Sequence, residues 1–502
     1  MTGLLVEGAS GIATLAGGLR RGGGQGEAGV VSGGALAVAC WEGRILAVGA
    51  ADEVNRQIAA VGLPINAFRR LDARGGLITP GLVDAHTHLL FAGTREGEWQ
   101  LRAGGAGYLE VLAAGGGILS TVAATRAASD EELLAGGRTR LAQMLANGTT
   151  TAEAKSGYAL DVTGELRLLE LTARLGRDGP VELVPTFLGA HAVPAEFRGA
   201  EGAPSAKAAK GGAPAAKRGA PAAGPNGTDA YVASVIDEQL PAVARQGIAR
   251  FCDVFCERGV FSADQSRRIL RAAAGHGLGL RLHADELAPS GGAELAAELG
   301  AELATAPAAA ANPAGPAPDA GAATRAAAVD PTTWRGTPAA ANPAGRGCLS
   351  VDHLAAPSEE GIAALARAAA AGTPVVATLL PATSWFLGKH HFAPARRFID
   401  AGIPVALASD LNPGTSPTLS LPLVMSIACV EMGLTPAEAL VAVTINAAHS
   451  LGLDGAIGSI EPGKQADLVV WDVRTVEQIP YWLGARLARI VVKRGQPVFE
   501  RA

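Results

Sequence analysis

Eight short runs rich in β-branched and other apolar residues recur between residues 80 and 410, and stretches with helical periodicity separate most of them. Strands that alternate with helices predict a parallel sheet with crossover helices, because parallel neighbours cannot be joined by a tight turn. The runs end near GLVDAHTH (81–88), TTTAEAK (149–155), VELVPTFLGAH (181–191), ARFCDVFCE (249–257), LGLRLHADE (278–286), CLSVDH (348–353), PVVATLLP (374–381) and PVALASD (404–410). Eight such units favour closure into a (β/α)8 barrel of the TIM type, an α/β fold that tolerates long insertions within 502 residues. Ser129 with Glu132 and Ser262 with Gln265 have capping-box spacing, and Gly148 and Gly277 fall where helices should stop.

The flanks differ. Residues 1–79 contain strand-like runs such as ALAVACWEGRILAVGA, and 455–502 have the same character in ADLVVWDV and RIVVKRGQPVF. The two ends are therefore expected to build one small β-sandwich domain beside a barrel over 80–454. Two stretches, 199–227 and 304–347, are dominated by Ala, Gly and Pro and offer too little apolar surface to offset ordering entropy; they are expected to be disordered surface inserts.

Composition excludes several classes of partner. A net charge of -5 supplies no basic excess for nucleic acid or an anionic membrane. The hydrophobic fraction of 48% is inflated by alanine, and no uncharged apolar run approaches the roughly 20 residues of a spanning helix. The first residues lack a basic segment ahead of their apolar stretch, so a cytoplasmic location is expected. Five scattered cysteines suit reduced, buried thiols, including the Cys252–Cys256 pair, whose side chains would lie about 13 Å apart along one strand face.

The strand ends carry the chemistry. In a barrel the loops after the strands form the open face, where catalytic groups collect. His86 and His88 are spaced i, i+2 and so point the same way on an extended strand; the fifth strand adds His283, the sixth His353 and the eighth Asp410. A single histidine is most often an ordinary core or surface residue, as we read His276 and His449. Five of nine histidines, counting His191, at predicted strand ends are a different matter. Imidazoles with a carboxylate suit Zn²⁺ or Fe²⁺ with room for a water.

The sequence resembles the amidohydrolase superfamily, whose opening signature PG-[LIF]-[VI]-D-x-H-x-H is present as PGLVDAHTH. Within it the closer resemblance is to the imidazolonepropionases of histidine degradation. It is carried by HTHLLFAGTREGEWQLRAGG, AAGGGILSTVAATRAAS, KSGYALD, PTFLGAHAVP, FCDVFCERGVFS, LHADE, SVDHL and SDLNPGTSPT, nearly the whole chain outside the two inserts. The resemblance implies a metal on His86, His88, His283 and Asp410. It implies Arg95 for a propionate carboxylate, Tyr158 and His191 for the imidazolone and its product, and Glu286 beside the reacting ring. Asn412, Gly414 and Thr415 would be further contacts, with His353 a catalytic acid/base that does not bind metal and Asp410 a proton acceptor. The implied reaction is hydrolysis of 4-imidazolone-5-propanoate to N-formimino-L-glutamate. Superfamily members with two metals bridge them through a lysine ending strand four; here that strand ends CDVFCERG and Lys155 follows strand two, so one ion is expected. A purine or triazine deaminase would share the ligands but needs no carboxylate partner such as Arg95, and a non-catalytic scaffold would have lost ligands. A homodimer is compatible with all of this.

Overall fold

The computed structural model describes residues 3–105, 116–198, 225–304 and 347–501. Sixteen strands lie among them. The N-terminal five are β1 (Gly3–Ala13), β2 (Val30–Trp41), β3 (Arg44–Ala50), β4 (Phe68–Asp72) and β5 (Leu77–Pro80). The next eight are β6 (Leu82–Asp84), β7 (Thr149–Lys155), β8 (Glu182–Ala190), β9 (Phe251–Cys256), β10 (Gly279–Ala284), β11 (Cys348–His353), β12 (Val376–Leu379) and β13 (Val405–Leu407). The chain ends with β14 (Leu468–Trp471), β15 (Ala488–Lys493) and β16 (Gln496–Glu500).

Strands β6 to β13 pair in sequence order, each parallel to the next, and correspond one for one to the eight runs expected. Their short extensions close the ring: Thr87 bridges Leu411 in parallel, Asp410 N–H donates to His86 O (3.0 Å) and His88 N–H to Leu411 O (2.9 Å). The His-x-His segment therefore lies on the closing seam. Asp84 of the signature supports the seam by accepting from Ser409 N–H at 2.9 Å. Both capping boxes form as expected, and Gly148 (φ +95°) and Gly277 (φ +81°) take the left-handed conformation after their helices.

The other sheet has the order β16-β15-β14-β5-β1-β2-β3, with β4 also on β1, so the C-terminal strands add beside the N-terminal ones through the antiparallel β5–β14 pair. Val6, Val38, Ile45, Ile78, Val470 and Val492, from both wings, meet in one buried cluster. The mixed sheet thus folds over its own apolar face. Its opposite face packs Leu5, Ala37 and Ala39 against Val54 and Ile58 of the helix Ala51–Ala60. A buried charge cluster fastens it to the barrel, with Lys493 Nζ 2.7 Å from Asp467 and 3.1 Å from Glu182 at the start of β8.

The expected inserts fall largely outside the described residues; the helix Pro225–Ser234 takes in the last three residues assigned to the first. All five cysteines are unpaired, and Cys252 and Cys256 are buried in the core. Burial pushes the Cys256 thiol up to about 11, which disfavours the thiolate. His276 is the C-cap of the helix Ala263–Gly275, while His449 is buried rather than superficial and pairs with Asp454 at 2.7 Å. Among the described residues no helix is long and apolar enough to cross a membrane.

Candidate active site

The strand ends converge as the register requires. His88 Nε2 lies 3.4 Å from His283 Nε2, and Asp410 Oδ1 lies 3.6 Å from His86 Nε2 and 3.5 Å from His88 Nε2. All four side chains are buried. Ligands about 2.0–2.1 Å from a tetrahedral ion stand roughly 3.4 Å from one another, since the edge of a tetrahedron is about 1.63 times its centre-to-vertex distance. Three of the separations among these atoms have that spacing, and the ligand nitrogens of His86, His88 and His283 all lie within 4.8 Å of one another.

Tautomers agree with the geometry. A carboxylate can only accept, so His86 Nδ1 donates to Asp352 (2.6 Å) and His283 Nδ1 donates to Asp253 (3.0 Å). Each Nε2 is left with its lone pair turned into the site, and His86 Nε2 is buried with no hydrogen-bond partner. Such an orphan in a dry interior is costly unless a cation meets it. Burial, followed by the nearby Lys155 for His86 and His191 for His88, holds both imidazoles well below their ordinary pKa, hence neutral and able to coordinate. The donor set fits a divalent ion.

Beneath the histidines lies a charge network that the sequence reading missed. Lys155 Nζ, 0% exposed, bonds Asp253 Oδ2 at 2.6 Å and Glu153 Oε1 at 2.7 Å and stands 3.8 Å from Asp352. Arg281, equally buried, reaches Asp352 at 3.0 Å. A signal was present in the sequence. Glu153 and Lys155, and Arg281 and His283, are i, i+2 pairs in fully buried strands, and charged residues inside a buried strand must face a polar interior and find partners there.

Asp410 uses both oxygens. Oδ1 faces the histidines and Oδ2 accepts from Thr383 Oγ1 at 2.6 Å, a contact not anticipated because Thr383 belongs to the helix Pro381–Phe386 after strand seven. Burial pushes the Asp410 carboxyl up, against the opposing effects of His353 and Thr383. His353 and Asp410 both have left-handed backbones (φ +76° and +51°), strain of the kind that concentrates at working sites. His353 Nδ1 stands 3.9 Å from Glu286 Oε2, and the two line a small cleft together with Thr383, Leu380 and Met432.

Residues expected to meet the substrate surround the same mouth. His191 stacks on His88 with centroids 4.7 Å apart, and Tyr158 lies 5.3 Å from His191 and 5.8 Å from His88. Burial holds the Tyr158 phenol above its ordinary range, so it is a neutral donor. Its loop is shaped by buried Glu165, which accepts the N–H groups of Gly157 (2.8 Å), Ala159 (3.0 Å) and Leu160 (2.8 Å). Arg95 lies over Gly414, where an added Cβ would come within 2.0 Å of Nη1; only glycine leaves the guanidinium that place. Asn412 engages its own loop, donating to Asp410 O (2.7 Å) and accepting from Gly414 N (2.9 Å) and Thr415 N (2.7 Å).

The description "Amidohydrolase family" matches residues 77–498. The chain belongs to that family. It is similar to the imidazolonepropionase of Geobacillus kaustophilus, 44% identical over 91% of this chain and 88% of that one. It is 43% identical to the imidazolonepropionase of Symbiobacterium thermophilum over 99% and 97% of the two chains. An adenosine deaminase from Xanthomonas campestris, solved with bound zinc, shares the fold with a TM-score of 0.59 over 98% of this chain and 92% of that one, at 19% identity. Metal dependence goes with the family, and the buried histidine cluster is where this member would hold its ion.

Proposed function

We propose that the chain is an imidazolonepropionase, adding water across the ring C–N amide bond of 4-imidazolone-5-propanoate to give N-formimino-L-glutamate. The observation that carries the reading is the meeting, at one barrel mouth, of the buried His86, His88, His283 and Asp410 side chains and the Arg95 guanidinium. Similarity to imidazolonepropionases over nine-tenths of the chain or more supports the same substrate.

His86, His88, His283 and Asp410 would hold one ion, Zn²⁺ or Fe²⁺. A single ion accords with the lysine-free end of strand four, while the buried Lys155 on β7 is instead held by Asp253 and Glu153. When bound, such an ion brings the pKa of water toward about 7 and polarises a carbonyl oxygen.

The protein's own groups do the rest. Asp410 Oδ2, although it accepts from Thr383, keeps a second lone pair and takes the proton of the attacking water. The water oxygen bonds to the ring carbonyl carbon. His353, beside Glu286 and within 4.8 Å of Asp410 and His86, hydrogen-bonds the oxygen as charge develops and delivers a proton to the departing ring nitrogen as the C–N bond breaks. Glu286 orients the ring at the cleft. Tyr158 and His191 flank the heterocycle, Arg95 pairs with the propionate, and Gly414 and Thr415 complete the wall on the loop that Asn412 braces. The substrate is a small molecule, and the five unpaired cysteines accord with a cytoplasmic setting.

Incubating the purified protein with 4-imidazolone-5-propanoate and following N-formimino-L-glutamate by mass spectrometry, with and without chelator, tests the reading. Product formed only in the metal-replete sample is expected; deamination of a purine or triazine with no turnover of the imidazolone would overturn it.

A further inference from the structure

Arg95 does not reach the substrate pocket as a free cation. Its Nε and Nη2 both donate to Glu98, at 2.7 Å each, in a two-bond fork. Glu98 is itself largely buried and also accepts from Arg102 Nη2 (3.0 Å) and from Gly117 N–H (2.9 Å). Arg102 Nη1 in turn donates to Gly414 O at 3.2 Å, which ties the cluster to the loop after strand eight. Burial opposes ionisation of Glu98, but Arg95, Gly117 and Arg102 outweigh it and hold the carboxyl below its ordinary range. The three side chains carry a net single positive charge at the mouth.

This arrangement has a geometric consequence. With the Nε–Nη2 edge taken, Nη1 is the part of Arg95 nearest Gly414 and makes no hydrogen bond among the described residues. A long arginine side chain in water has many rotamers, and freezing it at the moment of binding weakens the complex. Bonds to Glu98 fix it beforehand, as the four contacts to Glu98 fix Glu98.

We propose that Glu98 is a positioning residue for recognition of the substrate's carboxylate: by occupying one edge of Arg95 and anchoring Arg102 to Gly414 O, it turns the Nη1 edge of Arg95 to a carboxylate while lowering the local charge to the single unit that carboxylate neutralises. The proposal rests on the reading that the propionate meets Arg95. It assigns Glu98 no contact with the reacting ring, so its loss should act on binding and spare the chemical step.

The test compares 4-imidazolone-5-propanoate with 5-ethylimidazol-4-one, which keeps the ring and lacks the carboxylate, in wild type, Glu98→Gln, Glu98→Asp and Arg95→Met. Glutamine preserves size but offers one acceptor oxygen and turns an N–H₂ group against the guanidinium. Glu98→Gln should raise KM for the propanoate about tenfold, the span of one charge-assisted hydrogen bond, with kcat within about twofold of wild type. On the ethyl analogue it should match wild type. Aspartate, one methylene short, should show the same selective loss, which keeps the proposal testable if the glutamine variant is unstable. Unchanged KM for the propanoate in the Glu98 variants, or equal losses on both compounds, would overturn the positioning role. If Arg95→Met itself loses nothing selectively, the placement of the propionate is wrong, and the role of Glu98 falls with it.

Discussion

Replacing Asp253 by asparagine is the sharpest perturbation of the proposed metal centre that leaves its four proposed ligands in place. Asp253 Oδ1 accepts both the backbone N–H of His283 (3.1 Å) and its Nδ1–H (3.0 Å), while Oδ2 receives Lys155 Nζ at 2.6 Å. Asparagine has the same shape but cannot satisfy both neighbours. With its oxygen toward His283, its N–H₂ group opposes a buried ammonium. Flipped, it presents a donor to Nδ1, drives the proton to Nε2 and blocks the lone pair that must face the ion. Either outcome weakens metal binding by about 10- to 100-fold, the usual effect of losing a carboxylate behind a histidine ligand, which is about 1.4 to 2.7 kcal/mol. Competition with a chromophoric chelator gives the Zn²⁺ dissociation constant directly. The rise in Tm on adding metal supplies a second reading, because ligand binding to the native state stabilises it by mass action. A folded Asp253→Asn protein that binds Zn²⁺ within twofold of wild type would refute the reasoning, since the carboxylate would then neither set the tautomer nor orient the ring.

Three further outcomes follow from the same geometry. His353→Ala should retain metal yet lose about 10² to 10⁴ in kcat, the range for a general acid-base group; loss of metal, measured by elemental analysis, would make His353 a ligand instead. Lys493→Met removes the ammonium shared by two buried carboxylates between barrel and terminal sheet, leaving Glu182 to Arg494 and Asp467 to Gln465 and the Arg494 N–H, and should cost up to about 3–5 kcal/mol in denaturant unfolding. Burial works against the Glu182 carboxylate, but Lys493 and Arg494 hold it below its ordinary value. Its contribution is therefore complete above the unfolded-state value of about 4.3 and disappears as pH falls through the lower folded-state value; wild type should lose stability over that acid interval more steeply than Lys493→Met. Equal acid slopes in the two proteins would count against the pairing.

What the chain discloses on its own and what it withholds divide along physical lines. Each proposed metal ligand sits where a strand ends, and a parallel barrel turns that one-dimensional register into a ring of converging side chains, so His86, His88, His283 and Asp410 could be grouped from the sequence before any distance was known. Caps are legible for a similar reason: Ser129 with Glu132 and Ser262 with Gln265 act within one turn of helix. The partners of those ligands were not legible. Lys155 and Asp253 are 98 positions apart, His86 and Asp352 266, and nothing local says which buried carboxylate will face which ring. The same holds for Thr383 on Asp410 and for the insertion of β14 beside β5, which join distant segments through closure of the ring and the sheet. Glu98 shows the limit within a single helix. Its three-residue spacing from Arg95 permits an ion pair, but only the tertiary position of Gly414, against which the guanidinium lies, turns that pair into a directed group at the mouth of the site. Sequence order specifies which groups can share a face; the direction in which each buried charge is satisfied depends on neighbours that only the closed fold brings within hydrogen-bond range.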